Sequence, residues 1–257
     1  MAWTCRYDET EPQRVNRWLA QNGVCSRREA EALIAGGLVF IDGNRVDDLG
    51  RKIEAGQTLV LADAARSQLQ ASLSVVLNKP VGVVSAQPEG RQIPAVRLLT
   101  ADALSGESPT IPGRHTSLAP LGRLDLDSRG LLILSEDGVL AKAIIGPASK
   151  LDKEYLVRVA GTVTQKKVAI LRQGLRLDGR QLKPAKVSLV GEQRLRFILK
   201  EGRNRQIRRM CELVDLAVVD LFRTRIGPLC LGDLPEGRWR VLTADERGTL
   251  MKASAGE

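Results

Sequence analysis

The 257-residue sequence predicts an α+β protein in two parts. A small module covers residues 13–62, and a larger domain over residues 73–250 is built on a mixed, mainly antiparallel β-sheet flanked by helices. Three observations predict this. Within residues 13–62, two stretches with apolar residues at helical spacing precede a turn-bounded β pattern. Residues 63–72, DAARSQLQAS, are small and polar and lack periodicity, as a linker would. From Leu73 onward, short apolar runs alternate with helical stretches, which suits a second packed α+β layer.

Taken in order, residues 1–12 read as a disordered polar tail. They hold no apolar core of a signal peptide, and no run in the chain approaches membrane-spanning length, so a cytoplasmic protein without a membrane partner is expected. In RVNRWLAQNG, Val15, Trp18 and Leu19 share a helical face and Gly23 ends it. In CSRREAEALIAGG, Ser26 and Glu29 form a capping-box pattern, and Gly36-Gly37 closes the helix. LVFIDGNRV then reads as a hairpin turning at Asp42-Gly43, with a last strand near Thr58–Leu61. Arg27 and Arg28 sit in the first turn of the second helix, where the helix dipole disfavours cations. Arginines beside free helix N–H groups make a phosphate site, so both are candidate RNA contacts.

In the second part, strands are expected at 74–77, 83–86, 131–135, 154–160, 186–190, 194–200 and 217–224, and helices at 138–145, 164–173 and 204–213. Residues 87–118 are rich in Pro, Gly and Ser and are read as a long mobile loop carrying His115 on the surface.

Composition narrows the chemistry. Lys and Arg outnumber Asp and Glu by 39 to 30. The first 63 residues hold 8 basic and 10 acidic side chains, so the positive excess lies entirely in the second part, where it suits a phosphate-rich partner. Four scattered cysteines without a Cys-x-x-Cys pair read as free thiols. With one histidine, no nucleophile elbow and no ligand spacing for zinc, a hydrolase triad and a metal site are both disfavoured. Nucleotide-binding glycine motifs are absent. An enzyme built from this sequence would use Asp, Tyr and Arg, with no metal and no small-molecule cofactor.

Three strings carry that chemistry. LGRLDLDSRGLLILSEDG places Asp125 and Asp127 just before an apolar run. A polar turn explains Asp127, Ser128 and Gly130, but not the Arg-Leu-Asp before it. EGRNRQIRRMCE sets Arg203, Arg205, Arg208 and Arg209 within seven positions. On a helix starting near Asn204, the last three share a face and ask for an anion. KLDKEYLVRV places Tyr155 at a strand start beside Lys150, Lys153 and Arg158, where a packed tyrosine or a base-stacking one would both fit.

The module RVNRWLAQNGVCSRREAEALIAGGLVFIDGNRV resembles the αα-turn-β RNA-binding domain of ribosomal-protein S4 type, also found in tyrosyl-tRNA synthetases. With it, LNKPVGVVS, GRLDLDSRGLLILSEDG, KEY, GRNRQIRRM and TRIGPLCLGDLPEGRWRVL resemble, in order, the motifs of the RsuA/RluB/RluE/RluF group of ribosomal RNA pseudouridine synthases. DSRG, KEYLV and NRQIRRMCE look most like the RluF branch, which modifies large-subunit RNA. The resemblance implies a pseudouridine synthase domain in which Asp125 is the catalytic carboxylate. Tyr155 would stack on the target base, and Arg208 would pair with the aspartate. Ile207, Leu124 and Arg123 would line the substrate pocket. Lys79, Arg203, Arg205 and Arg209 would contact RNA along with Arg27 and Arg28. The partner is then large-subunit ribosomal RNA, with small-subunit RNA or tRNA as alternatives, and the protein works as a monomer. Against the isomerase stand a non-catalytic ribosome-assembly protein, which would not need Asp125, Tyr155 and Arg208 together, and an aminoacylating enzyme, which would need ATP motifs.

Overall fold

The computed structural model describes residues 3–113 and 116–256; His115 lies outside them. The chain divides into two compact units. One runs to Ser74 and includes Ser135–Lys142; the other holds Val75–Leu134 and the chain from Ala143 onward.

The first unit opens with strand β1 (Trp3–Arg6). Helices α1 (Val15–Gln21) and α2 (Arg27–Ala35) follow. Next come β2 (Val39–Ile41), β3 (Asn44–Arg45), β4 (Thr58–Leu61) and helix α3 (Asp63–Gln70). The sheet order is β1-β4-β2-β3. Both halves of the expected capping box form: Glu29 N–H donates to Ser26 Oγ at 3.2 Å, and Ser26 N–H to Glu29 Oε2 at 2.6 Å. The hairpin turns at Asp42 and Gly43, both at positive φ (49° and 81°), as a two-residue turn of this hand requires. Val15, Trp18, Leu19, Leu33 and Ile34 pack with the sheet into one apolar core.

Two expectations fail in this unit. Part of the polar tail is a strand: Trp3–Arg6 pairs antiparallel with β4, the Trp3 ring lies 6.1 Å from Trp18, and Tyr7 is fully buried. Burial of Tyr7 and partial burial of Trp3 offset the ordering entropy of a polar segment. The linker is helix α3. Ala, Gln, Arg and Leu are strong helix formers, and Ala65 alone is buried, too little to leave a periodic pattern.

The second unit is organised by one sheet. Its strands are β5 (Ser74–Lys79), β6 (Ala119–Pro120), β7 (Arg129–Ser135), β8 (Lys153–Ala160), β9 (Lys186–Gly191), β10 (Arg194–Leu199), β11 (Ala217–Ile226), β12 (Leu229–Cys230) and β13 (Trp239–Val241). Their order is β9-β10-β8-β11-β7-β5-β13, with β6 on β7 and β12 on β11. β7 and β11 run parallel, while β8 is antiparallel to both of its neighbours, so the sheet is mixed. Every residue of Gly130–Ser135 is buried, which fits a strand covered on both faces. β8 alternates instead: Tyr155, Val157 and Val159 point inward. Helices α4 (Gly138–Ile145), α5 (Gln165–Arg172), α6 (Gln206–Glu212) and α7 (Ala244–Ala255) complete the chain.

The described part of the stretch 87–118 is more ordered than a mobile loop. It holds a short strand, Ile93–Pro94, paired with Val83–Val84 outside it, and a 3₁₀ turn at Ala95–Leu98, and Ala95 and Leu99 are buried. Trp239, itself fully buried, donates its indole N–H to the Thr100 carbonyl at 2.8 Å and fastens the segment down. Gly and Pro here punctuate short turns rather than release the chain.

Candidate active site

Asp125 lies in the loop between β6 and β7, and this loop is clamped at several points. Ser85 Oγ donates to the Leu124 carbonyl at 2.7 Å and accepts from Leu124 N–H at 2.8 Å. Ser128 N–H donates to the Asp125 carbonyl at 3.1 Å, and Gly82 N–H to the Leu126 carbonyl at 2.8 Å. From the sheet, Arg223 Nη1 donates to the Arg123 carbonyl at 3.2 Å and Nε to the Leu131 carbonyl at 2.7 Å. The backbone around Asp125 is therefore fixed, while its side chain stays about one-third exposed.

That carboxylate opens into a cavity of about 500 Å³. Tyr155, Ile207 and Leu124 form apolar wall, each at least nine-tenths buried. Arg123, Arg203, Arg205 and Arg208 line it too. A space of this size suits one small organic ligand. Asp125, Tyr155, Ile207, Leu124 and these arginines thus line one cavity, but their contacts differ from those the resemblance implies.

Arg208 of α6 does not pair with Asp125. Arg208 is buried, donates through Nη2 to the Asp127 carbonyl at 2.7 Å and to Ser128 Oγ at 3.3 Å, and through Nη1 to the Val218 carbonyl at 3.2 Å. Its carboxylate partner is Asp127, at 3.2 Å. The cation at Asp125 is Arg205, whose Nη1 lies 3.6 Å from Asp125 Oδ2 while both of its terminal nitrogens grip Asp127 at 3.2 and 3.0 Å. Arg205 can do this because it is not on the helix. It caps α6 in the left-handed conformation, φ 47° and ψ 32°, which turns its side chain toward the Asp125 loop. This conformation costs a non-glycine residue of order 1–3 kcal/mol and tends to persist at functional sites.

Asp127, read as a plain turn residue, is thus the hub of the clasp. Burial raises its carboxyl pKa, but the hydrogen bond from Arg205 and the charges of Arg208 and Arg205 outweigh that and hold it below the usual carboxylate range.

The remaining arginines do not form one face. Arg203 Nη2 donates to the Gln181 carbonyl at 3.1 Å and its Nε lies 3.6 Å from Glu201. Arg209 makes a two-pronged pair with exposed Asp178. Such surface pairs are weak and exchangeable, so both remain available to phosphates. Lys79 is not an RNA contact. It is fully buried, and Nζ donates to the carbonyls of Pro80 and Val83 at 2.8 and 2.6 Å, closing its own turn. Burial, with Arg223 nearby, lowers its pKa to about 8 despite the opposing pull of Asp125 and Asp127. In the first unit, Arg27 and Arg28 are exposed at the start of α2.

Among the cavity residues that the sequence gives no role are Lys153 and Arg223, which lie on the central strands β8 and β11. Arg223 left a signal: it follows Leu221 at the inward spacing of β11, where an apolar residue is the norm. No cluster of metal-ligating side chains occurs among the described residues.

An RNA-binding-type module, a mixed sheet and a carboxylate held beside arginines and a tyrosine describe an RNA-modifying enzyme. Comparison with known proteins makes this specific. The RNA pseudouridylate synthase family model matches residues 74–213, and the S4 domain model matches residues 13–59. The chain is 35% identical to the dual-specificity RNA pseudouridine synthase RluF of Salmonella typhi, over 95% of this chain and 80% of that protein. It is 36% identical to an uncharacterized RNA pseudouridine synthase of Aquifex aeolicus, over 93% and 94% of the two chains. A crystal structure of a pseudouridylate synthase superposes with a TM-score of 0.64 at 27% identity, covering 92% of this chain and 99% of that one. The chain belongs to the RNA pseudouridylate synthase family and carries an S4 domain ahead of its synthase domain; it is an isomerase acting on RNA.

Proposed function

We propose that this synthase isomerises one uridine of large-subunit (23S) ribosomal RNA and that Asp125 is its catalytic carboxylate. The observation that supports this most is a single cavity in which a fixed, partly exposed Asp125 faces buried Tyr155 and Ile207. The likeness to RluF supports the ribosomal substrate.

Pseudouridine formation breaks the N1–C1′ bond, turns the base and joins C5 to C1′, with no net gain or loss of atoms. The target must leave its stack, and a flipped base needs a flat or apolar wall; Tyr155 and Ile207 supply it. A carboxylate at the sugar then acts as nucleophile on C1′ or as base toward the C2′ proton. Arg205, 3.6 Å from Asp125, sets a cation beside the carboxylate and helps fix its position in the cavity. Arg208 acts at one remove: by holding the Asp127 carbonyl and Ser128 Oγ it shapes the turn that presents Asp125. Arg203 and Arg209, with Arg27 and Arg28 in the S4 domain, hold backbone phosphates, which position the RNA without naming the base.

The test is nucleotide-resolution pseudouridine mapping. Ribosomal RNAs from a strain lacking the gene are incubated with purified protein. One new pseudouridine in large-subunit RNA is expected; a new site only in small-subunit RNA or tRNA would replace the substrate assignment.

A further inference from the structure

Beneath the cavity, the inward face of the sheet carries two cations that the isomerisation scheme does not use. Arg223 is about 1% exposed, and its neighbour across the strands is Tyr155. Two of its guanidinium nitrogens are engaged by the Leu131 and Arg123 carbonyls, whereas Nη2 is buried without a hydrogen-bond partner. Lys153 stands two residues before Tyr155 on β8 and lines the same cavity. Its ammonium makes no hydrogen bond or ion pair among the described residues.

The nearby carboxylates do not neutralise this pair. Asp152 is held by Arg225 Nη1 at 2.7 Å, and Glu154 by Thr224 Oγ1 at 2.9 Å. The cavity's own carboxylates are Asp125, beside Arg205, and Glu201, beside Arg203. Two like charges and an idle donor under one cavity are unfavourable unless an anion enters it. Burial and the charge of Arg223 lower the Lys153 pKa against the opposing charge of Asp152.

We propose that Lys153 and Arg223 form a phosphate subsite that receives a backbone phosphodiester flanking the uridine flipped toward Asp125. The inference rests on the cavity being the active site. The subsite would make extrusion of the nucleotide favourable: the phosphate that follows the base inward supplies the missing charge and takes the free Nη2–H. Charge-assisted bonds of this kind are worth roughly tenfold to a hundredfold in affinity each.

The test is a binding cycle. The probes are a synthetic RNA fragment spanning the mapped uridine, and the same fragment with one neutral methylphosphonate at either flanking linkage. Affinities are measured for the full-length wild type, Lys153→Met and Lys153→Arg. Expected is a loss of roughly tenfold or more for Lys153→Met on native RNA, with less than about threefold on one of the two neutral-linkage RNAs, and recovery of that coupling in Lys153→Arg. Equal losses on all three RNAs would overturn the subsite, because a merely structural role for Lys153 cannot tell a charged linkage from a neutral one. Arg223→Gln is the second arm and should show the same coupling; the Lys153 variants decide the matter if it misfolds. Turnover by Asp125→Asn, read separately, reports on the active-site assignment. An active Asp125→Asn protein would remove that assignment, whereas a normal Asp125 phenotype without phosphate coupling would remove only the subsite.

Discussion

Gly130→Ala should damage both stability and turnover, and the size of the effect follows from the geometry. Gly130 is buried in β7, opposite Arg223 in the parallel ladder, at φ 108°. A Cβ there would lie 2.3 Å from the Arg223 carbonyl oxygen, 2.8 Å from its nitrogen and 2.8 Å from a Phe222 ring carbon. The first two are backbone atoms of a central strand and cannot step aside cheaply. The left-handed φ costs about 1–3 kcal/mol, and overpacking a central strand about 1–3 more. The sum, about 2–6 kcal/mol, is a large part of the 5–15 kcal/mol typical of a folded domain. Any displacement of Arg223 also loosens the Arg123 carbonyl, two residues before Asp125. Gly82→Ala is the control, since Gly82 has a similar φ of 85° but no atom within 4 Å of its added Cβ. Urea unfolding followed by tryptophan fluorescence should place Gly130→Ala well below Gly82→Ala in midpoint, with reduced turnover per folded molecule. A Gly130→Ala protein no less stable than the control would refute the close-approach argument.

Other expectations test the remaining parts. Arg208→Met strips donors from the Asp127 and Val218 carbonyls and from Ser128 Oγ, and should cost about 2–4 kcal/mol in denaturant unfolding, together with most turnover; unchanged stability would deny it the turn-holding role. Because the folded pKa of Asp127 lies below its unfolded value of about 4, its contribution is present above that pH and lost as pH falls through the folded pKa. Asp127→Asn should therefore unfold with a flatter acid limb than wild type, and parallel limbs would count against the clasp. RNA affinity should fall steeply with salt, and Arg27→Ser with Arg28→Ser should reduce the logarithmic slope by roughly one per arginine; an unchanged slope would take both residues off the RNA.

How far the sequence could be read depended on the kind of signal. Strands β8, β10 and β11 and helices α4 and α5 were legible because each buries a repeating apolar face, and β7 because it is a continuous apolar run. The Ser26–Glu29 capping box and the Asp42-Gly43 turn were legible because local hydrogen bonding sets them. β1 and α3 were not: one is four residues long, and the other buries a single alanine. Helix α7 went unassigned, although Thr243 and Glu246 form a capping box and could have marked its start. In the site, Asp125, Tyr155 and Ile207 followed from motif order. The partner of Arg208 did not, because the helical face that seemed to unite Arg205 and Arg208 ends where Arg205 turns left-handed. Lys79 was misread because a lysine in a basic domain looks exposed until the fold closes a turn around it. Arg223 needed the strand register before its inward position carried meaning.

The most direct test of the account is single-turnover pseudouridine formation by Asp125→Asn beside wild type, on ribosomal RNA from the deletion strain, with RNA affinity measured for both. The predicted result is a rate reduced by at least roughly a hundredfold, with affinity within a few-fold of wild type. A variant that still isomerises its uridine at near-normal rate would show that the carboxylate at the centre of this site does not perform the chemistry.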